Sequence, residues 1–448
     1  MNLTSNRLLE ILQGLPAANR YHLAFSGGLD STVLLHLLAE VRDRLPGSLH
    51  ALHIHHGLQS DADAWGLHCR QFCEALSIPY NQLELGLTGR QGESLEALAR
   101  DARYAALAAA MGKGELLLTA QHQDDQAETL LLQLLRGSGP AGLAAMPGLL
   151  KFGQGWLARP LLDFPRAALE AYAREHRLSW VDDPSNQNLR FDRNYIRHRV
   201  MPLLQQRWPS AATTIARSAR LSGELQGLVD EQAAQDLASA QGAWPGTLSV
   251  SVLRSLSPAR RRSLLRHWIR EQGGVMPGSR HLLRIEEECL AGREDAQPLV
   301  HWRDVEVRRF RDGLFLLRPL PPHDASQVIP WPGRQALRLP AEMGELVLEP
   351  AEAGISKDKW LKAKIEVRFR QGGERCIPAA SNHHRALKKL FQEWAVPPWN
   401  RERIPLIYLD NQLAVIPGYV SCEPFKAMPT EEAVMPHWRS PNNSLAKS

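Results

Sequence analysis

A short, largely apolar run, Tyr21-His22-Leu23-Ala24-Phe25, leads directly into Ser26-Gly27-Gly28-Leu29-Asp30-Ser31 and then into the helix-period segment Thr32-Val33-Leu34-Leu35-His36-Leu37-Leu38. Strand, glycine turn and helix in that order open a βα unit. Two glycines let the backbone approach a ligand closely, and the following helix start offers unpaired N–H groups and a positive dipole end to an anion. Phosphate is the natural guest of such a turn. Ser26 and Ser31 add hydroxyl donors, and Asp30 is placed to hold a magnesium ion that bridges phosphate oxygens. The lysine of a Walker A loop is absent, which argues against a hydrolase that cuts between β and γ phosphates. The bland alternative is a tight structural turn.

The pattern of the first βα unit repeats. Leu49 to His55 reads as a second strand, Asp63 to Leu76 as a helix, and Tyr80 to Leu85 as a third strand. Glu93 to Met111 reads as a long alanine-rich helix, and Leu116 to Ala120 as a fourth strand. Four such repeats predict a doubly wound parallel sheet. The chain's 448 residues exceed one ordinary hydrophobic core, so further domains are expected. We divide it into a catalytic domain over 1–210, a linker helix over 211–240 and two smaller α+β domains over 241–320 and 329–435. The proline-rich stretch Arg318 to His323 separates the last two, and a helix from Ser381 to Trp394 is expected in the final one.

Three more constellations carry chemistry. In Gln121-His122-Gln123-Asp124-Asp125-Gln126-Ala127-Glu128-Thr129, helical spacing puts Asp124 or Asp125 on one face with Glu128. Carboxylates that close repel unless a metal or a base stands between them, so Asp125, with Asp30, is our candidate for magnesium. In His53-Ile54-His55-His56-Gly57-Leu58, the pleat puts His53 and His55 on one face and His56 on the other. No thiolate or carboxylate partner is evident, and nucleotide contact at the carboxyl end of a parallel strand fits better than zinc. Asp183-Pro184-Ser185-Asn186, Arg190 and Arg193-Asn194-Tyr195-Ile196-Arg197 line up arginines at helical spacing, suited to phosphate or to a salt-bridged surface.

Composition restricts the rest. The five cysteines are scattered without a C-x-x-C pair, so neither a disulfide framework nor a metal cluster is indicated. There is no long apolar run and no signal-peptide pattern, which points to a cytoplasmic protein with no membrane partner. A net charge of +5 and basic runs at Arg260-Arg261-Arg262 and Arg308-Arg309 permit a polyanionic partner, although solvated faces look the same.

The Ser26-to-Ser31 loop resembles that of the N-type ATP pyrophosphatases, or PP-loop superfamily, whose fold is that of the adenine nucleotide alpha hydrolases. Taken with the histidine run, Gly92-Glu93-Ser94-Leu95-Glu96-Ala97, Ala99-Arg100, Arg103-Tyr104, the box from Asp124 to Thr129, Arg136-Gly137-Ser138-Gly139 and the arginine segment, the order of motifs is similar to the tRNA(Ile)-lysidine synthetase family. Gly372-Gly373-Glu374-Arg375, Leu387-Lys388-Lys389-Leu390 and Val396-Pro397-Pro398-Trp399 resemble that family's C-terminal domain.

The resemblance implies an ATP- and Mg2+-dependent carbon–nitrogen ligase. AMP is transferred to C2 of the wobble cytidine in the CAU anticodon of tRNA(Ile), and the ε-amine of L-lysine displaces it, changing codon specificity from AUG to AUA. It assigns nucleotide contacts to Ser26, Gly27, Gly28, Leu29, Asp30, Ser31, His53, His55 and Arg100, and chemistry to Asp30, Asp125, Glu128, Arg193 and Arg197. Gln121, His55 and Gln59 depart from the family pattern around the adenine and ribose. The resemblance leaves open whether the protein is a monomer or a homodimer. Two rivals remain: a related tRNA thiolation enzyme, for which the C-x-x-C pair is missing, and a non-catalytic RNA-binding protein that keeps ATP as a ligand.

Overall fold

The structure, a computed structural model, describes residues 2–55, 62–85, 95–293, 296–378 and 383–440. The chain forms two compact units, Met1–Val229 and Asp230–Ser448.

The first unit begins with α1 (Ser5–Gln13). It continues through β1 (Arg20–Ala24), α2 (Leu29–Val41), β2 (Ser48–His55), α3 (Ala62–Ala75), β3 (Tyr80–Glu84), α4 (Leu95–Ala109), β4 (Leu116–Leu118) and α5 (Gln123–Leu135). A short α6 (Pro140–Leu143), a hairpin of β5 (Leu149–Phe152) and β6 (Gly155–Ala158), and α7 (Arg166–Glu175) follow. Then α8 (Asp192–Tyr195) runs through a π turn, Ile196–Val200, into α9 (Met201–Arg207). The long α10 (Ala211–Ser239) contains the boundary between the units. The six strands lie in the order β3-β2-β1-β4-β6-β5, all parallel except the edge strand β5.

That order places the topological switch point between β1 and β4. The chain leaves β1 toward one side of the sheet and returns to β4 on the other, so the loops after these two strands diverge and leave a crevice at their carboxyl ends. Burial explains why both strands are so apolar: all three residues of β4 are buried, as are the middle three of β1. Helix α2 is buried nearly all round, at Ser31, Thr32, Val33, Leu34, Leu35, Leu37, Leu38 and Val41, which accounts for its almost uninterrupted apolar sequence. The predicted strands and helices match to within a few residues at their ends, and Glu93 and Ser94 lie outside the described residues. The β5–β6 hairpin was not anticipated. Its strands are four residues each, too short for alternation to register, and Gly153 turns between them at φ 55°.

In the second unit, β7 (Leu248–Ser249), β8 (Leu299–Trp302), β9 (Val305–Phe310) and β10 (Gly313–Leu317) form an antiparallel sheet ordered β7-β10-β9-β8. Its core includes Leu264, Leu265, Trp268 and Ile269 of the helix Pro258–Glu271. Farther along, seven-stranded and four-stranded sheets surround a core in which Trp331 and Trp360 meet edge-on, centroids 5.4 Å apart. The helix expected over Ser381 to Trp394 is shorter and spans Leu387–Glu393. Backbone pairing is the reason: Arg385–Ala386 is a strand held against Arg375 and Cys376, while 381 and 382 lie outside the described residues. No described helix is long and apolar enough to cross a membrane.

Phe164 links core to crevice: its ring is fully buried in the first unit, and its carbonyl accepts from Gln123 N–H at the start of α5 (2.9 Å). Phe164→Ala is expected to destabilise this unit by about 3–5 kcal/mol, read from denaturant unfolding. A loss below roughly 1 kcal/mol would mean that the site collapses without a cavity.

Candidate active site

The loop Ser26–Gly28 leaves β1 and ends at the N-terminus of α2. Gly27 has φ 78°, and a Cβ there would stand 2.7 Å from Cys69 Sγ, so both conformation and space demand glycine. Gly28 is the N-cap of α2 and makes no side-chain cap, which leaves the first-turn amides turned toward the crevice. Within the loop Ser26 Oγ and Ser31 Oγ lie 3.1 Å apart, Ser31 Oγ donates to Gly28 O (3.0 Å), and Val181 N–H donates to Gly27 O (2.9 Å). This is a preformed, anion-accepting turn.

His53 stands behind the loop, 6% exposed, with Nδ1 2.9 Å from Phe25 O, and burial holds its pKa below the ordinary histidine value. It braces the backbone that enters the loop. His55 pairs with Asp63 (3.0 Å), and His56 lies outside the described residues. Arg100 belongs to a different grouping. Its guanidinium lies 5.2 Å above the Tyr104 ring, that of Arg103 lies 5.6 Å from the same ring, and Phe152 meets it edge-on.

The loop after β4 delivers the second half of the site. Fully buried His122 stands at its end, with ring nitrogens 3.6 Å from Asp30 Oδ2, 3.4 Å from Asp125 Oδ2 and 3.7 Å from Asp124 Oδ2. Neither ring nitrogen has a hydrogen-bond partner among the described residues. Burial pushes the His122 pKa down, but the carboxylates of Asp30, Asp125 and Asp124 outweigh it, and the value lies above the ordinary one. Asp125 accepts from the His122 backbone N–H (3.1 Å). Burial raises its pKa, and His122, Arg193 and Arg197 more than reverse that, so its carboxyl stays ionised.

Asp124 takes a different part. It accepts from Arg166 N–H (2.8 Å) and so caps α7, which settles which of the two neighbouring aspartates shares the site with Glu128. Glu128, 2% exposed, is gripped by Arg197, which donates from Nε to Oε1 (2.7 Å) and from one Nη to Oε2 (2.9 Å). The same Nη donates to Asp125 Oδ1 (2.8 Å). Burial, with repulsion from Asp125, leaves the Glu128 pKa raised despite the guanidinium. Arg193 donates to Thr129 Oγ1 (2.6 Å) and lies 3.3 Å from Glu128 Oε2.

Asp125, Glu128, Arg193 and Arg197 thus lie together, with Arg197 as the base between the carboxylates, and Asp30 reaches the group through His122. His122 was quoted in the motif and given no role. The signal was available, since a histidine amid three acidic residues and directly after a buried strand faces strong local fields. Asn194 is structural: it donates to Ser185 O and Asn188 O (both 3.0 Å). The basic runs make ion pairs and hydrogen bonds within their own unit, and Arg260 and Arg262 stay about half exposed. Arg260 pairs with Asp236, Arg261 and Arg262 pair with Glu286, and Arg309 donates to Cys289 O and Gly292 O. As to magnesium, the buried Asp30 Oδ1 has no hydrogen-bond partner among the described residues, an oxygen donor that suits a hard cation. Asp125 is the poorer fit, because both its oxygens already accept N–H groups.

Comparison with known proteins joins these parts. The chain matches the PP-loop domain over residues 1–204, the TilS substrate binding domain over 248–315 and the TilS substrate C-terminal domain over 365–438. A protein of Coxiella burnetii named tRNA(Ile)-lysidine synthase is 42% identical over 95% of this chain and 94% of its own length. Proteins of the same name from Methylococcus capsulatus and Serratia proteamaculans are each 44% identical, the first over 95% of this chain and 97% of its own, the second over 98% and 100%. With identity at this level running almost from end to end through all three domains, the chain belongs to the tRNA(Ile)-lysidine synthase family.

Proposed function

We propose that the chain is an ATP-dependent ligase of the cytoplasm that builds lysidine at the wobble cytidine of a tRNA(Ile) bearing a CAU anticodon, with L-lysine as the amine. The observation that carries this reading is the junction of a glycine-rich phosphate turn with the buried His122–Asp125–Glu128–Arg197 cluster at one switch point. The amides of Gly27, Gly28 and Leu29 and the hydroxyls of Ser26 and Ser31 hold the pyrophosphate that leaves when the cytidine carbonyl oxygen attacks the α-phosphorus. His53 acts through Phe25 to keep that turn in place, and His55 and Arg100 are assigned to the nucleoside by the family resemblance alone. Asp30, and less readily Asp125, would hold magnesium, which supplies neutralising charge to the phosphates when bound.

In the second step the lysine amine displaces AMP from C2. A free amine has a pKa near 10.4 and must lose a proton before it attacks. Glu128, with its raised pKa, can take that proton. Arg193 and Arg197 hold the carboxylates in place and offset charge on the departing phosphate. Nothing favours thiolation: Cys69 and Cys73 are buried, and burial pushes both thiols up to about 12.

Incubation with ATP, labelled lysine and CAU-bearing tRNA(Ile) should put label into RNA in a form that survives mild alkali. Pyrophosphate release without lysine transfer, or label lost in base as from an ester, would refute the reading. Asp30→Ala should lower ATP–pyrophosphate turnover by about 10²–10³-fold, with a smaller loss of stability than Arg197→Ala. Arg197→Ala should also cost about 3–5 kcal/mol of stability, because it strands buried carboxylates; equal unfolding midpoints for the two variants would contradict the ion-pair assignment.

The raised pKa of His122 sets a pH dependence. A group whose folded pKa exceeds its unfolded value, about 6.5 for histidine, adds stability that is complete below that value and disappears as pH rises through the folded pKa. The stability difference between the parent and His122→Gln should therefore shrink as pH rises above about 6.5. A difference constant with pH in denaturant titrations would show that the ring is not held as imidazolium.

A further inference from the structure

Outside the crevice, α2 and α7 bring together a second set of ligand-type side chains. His36 and Glu40 sit one turn apart on α2, and His176 caps the carboxyl end of α7. One ligand atom from each lies within 4.8 Å of the others. Tyr172 organises all three. Its hydroxyl is 2.9 Å from His36 Nδ1 and donates to Glu40 Oε2 (3.3 Å), and its ring stacks on His176 with centroids 4.1 Å apart at 26°. The His36 and His176 rings are 4.9 Å apart, and Ser5 Oγ donates to Glu40 from α1.

We propose that His36, Glu40 and His176 form a binding site for a divalent transition-metal ion of the zinc type, which ties α2 to α7. Two imidazoles and one carboxylate are a borderline-soft donor set that suits zinc and disfavours magnesium or calcium, and three protein ligands leave a fourth position for water. Zinc–nitrogen bonds of about 2.0–2.1 Å set tetrahedral ligands about 3.3–3.5 Å apart, so the three groups need to close by little more than about an ångström. Tyr172 is the outer partner that orients ligands from a buried position, as second-shell groups do in metal sites. The ion sits at the rear of the helix whose front carries the phosphate loop, since His36 follows Asp30 by six residues, about 9 Å along the axis. Binding would stabilise the folded first unit in proportion to occupancy.

The test uses the full chain without an affinity tag, stripped of metal by a chelator and titrated with Zn2+ alone and with Co2+ as a spectroscopic probe. Excess Mg2+ is kept present to occupy the carboxylates of the crevice, and the same titration of His122→Gln separates any zinc held there. One Zn2+ per chain should bind, thermal unfolding should shift upward, and Co2+ should develop the visible absorption of a tetrahedral nitrogen–oxygen site. Tyr172→Phe, which keeps the ring and loses the hydroxyl, should weaken zinc about 10–100-fold. His176→Gln, at an exposed position, and His36→Gln should weaken it by more than that. Failure to bind zinc saturably, or an affinity unchanged in His176→Gln, would overturn the proposal. Neither result bears on lysidine formation, which is assayed with magnesium alone.

Discussion

Arg197 holds two carboxylates that the fold has taken out of water, and most of the site's geometry follows from that grip. Each buried ion loses several kcal/mol of solvation, recovered only when charge, hydrogen bonds and geometry all agree. The fork of one guanidinium meets both oxygens of Glu128 and one of Asp125, so α5 cannot rotate or slide without losing bonds at both residues. Through the same contact the π turn after α8 is fixed against α5. Arg193 is drawn in behind, and Asp125 is held where it also meets His122. The ion pair is thus less a source of net stability than a device that specifies one arrangement among many, and a lysine in place of Arg197 could not reproduce the fork.

Strand order does the complementary work. Residues 30 and 122 are far apart in sequence, and β1 and β4 are neighbours in the sheet with their carboxyl ends on the same side. Any loop that leaves β1 and any loop that leaves β4 must then share a crevice, whatever their sequences. The chain uses this geometry to set a phosphate-accepting turn of near-neutral groups beside an intensely charged cluster. Asp30 and His122, which face each other across it, join the two halves.

Much of this was legible in the residues. Glycine positions, apolar runs and the i,i+3 carboxylate spacing are local signals, and the phosphate loop, the four βα units and the pairing of Asp125 with Glu128 rest on them. Where the sequence was silent or misleading, the deciding partner lay elsewhere in the chain. Asp124 and Asp125 are equivalent on a helical wheel until Arg166 N–H claims the first. That His53 Nδ1 meets Phe25 O could not be read from the sequence, because Phe25 lies at another strand's end. The partners of the basic runs in the second unit, Asp236, Glu286 and the carbonyls of Cys289 and Gly292, lie far from them in sequence and could not be read from it. Helical propensity over 381–386 gave way to strand pairing in the part that is described.

The wide turn at Ile196–Val200 bears on how this family can change. A π turn holds one residue more than the α-helical turn it replaces, so it shifts the phase of everything after it. Losing that residue would rotate the downstream helix by about 100° and shorten it by about 1.5 Å. Arg193, before the wide turn, and Arg197, within it, would then no longer share a face toward α5. Point substitutions around the turn are exchanges of size and charge, whereas an insertion or deletion there is a change of helical phase, and the ionic lock would transmit it directly to Asp125 and Glu128 on α5.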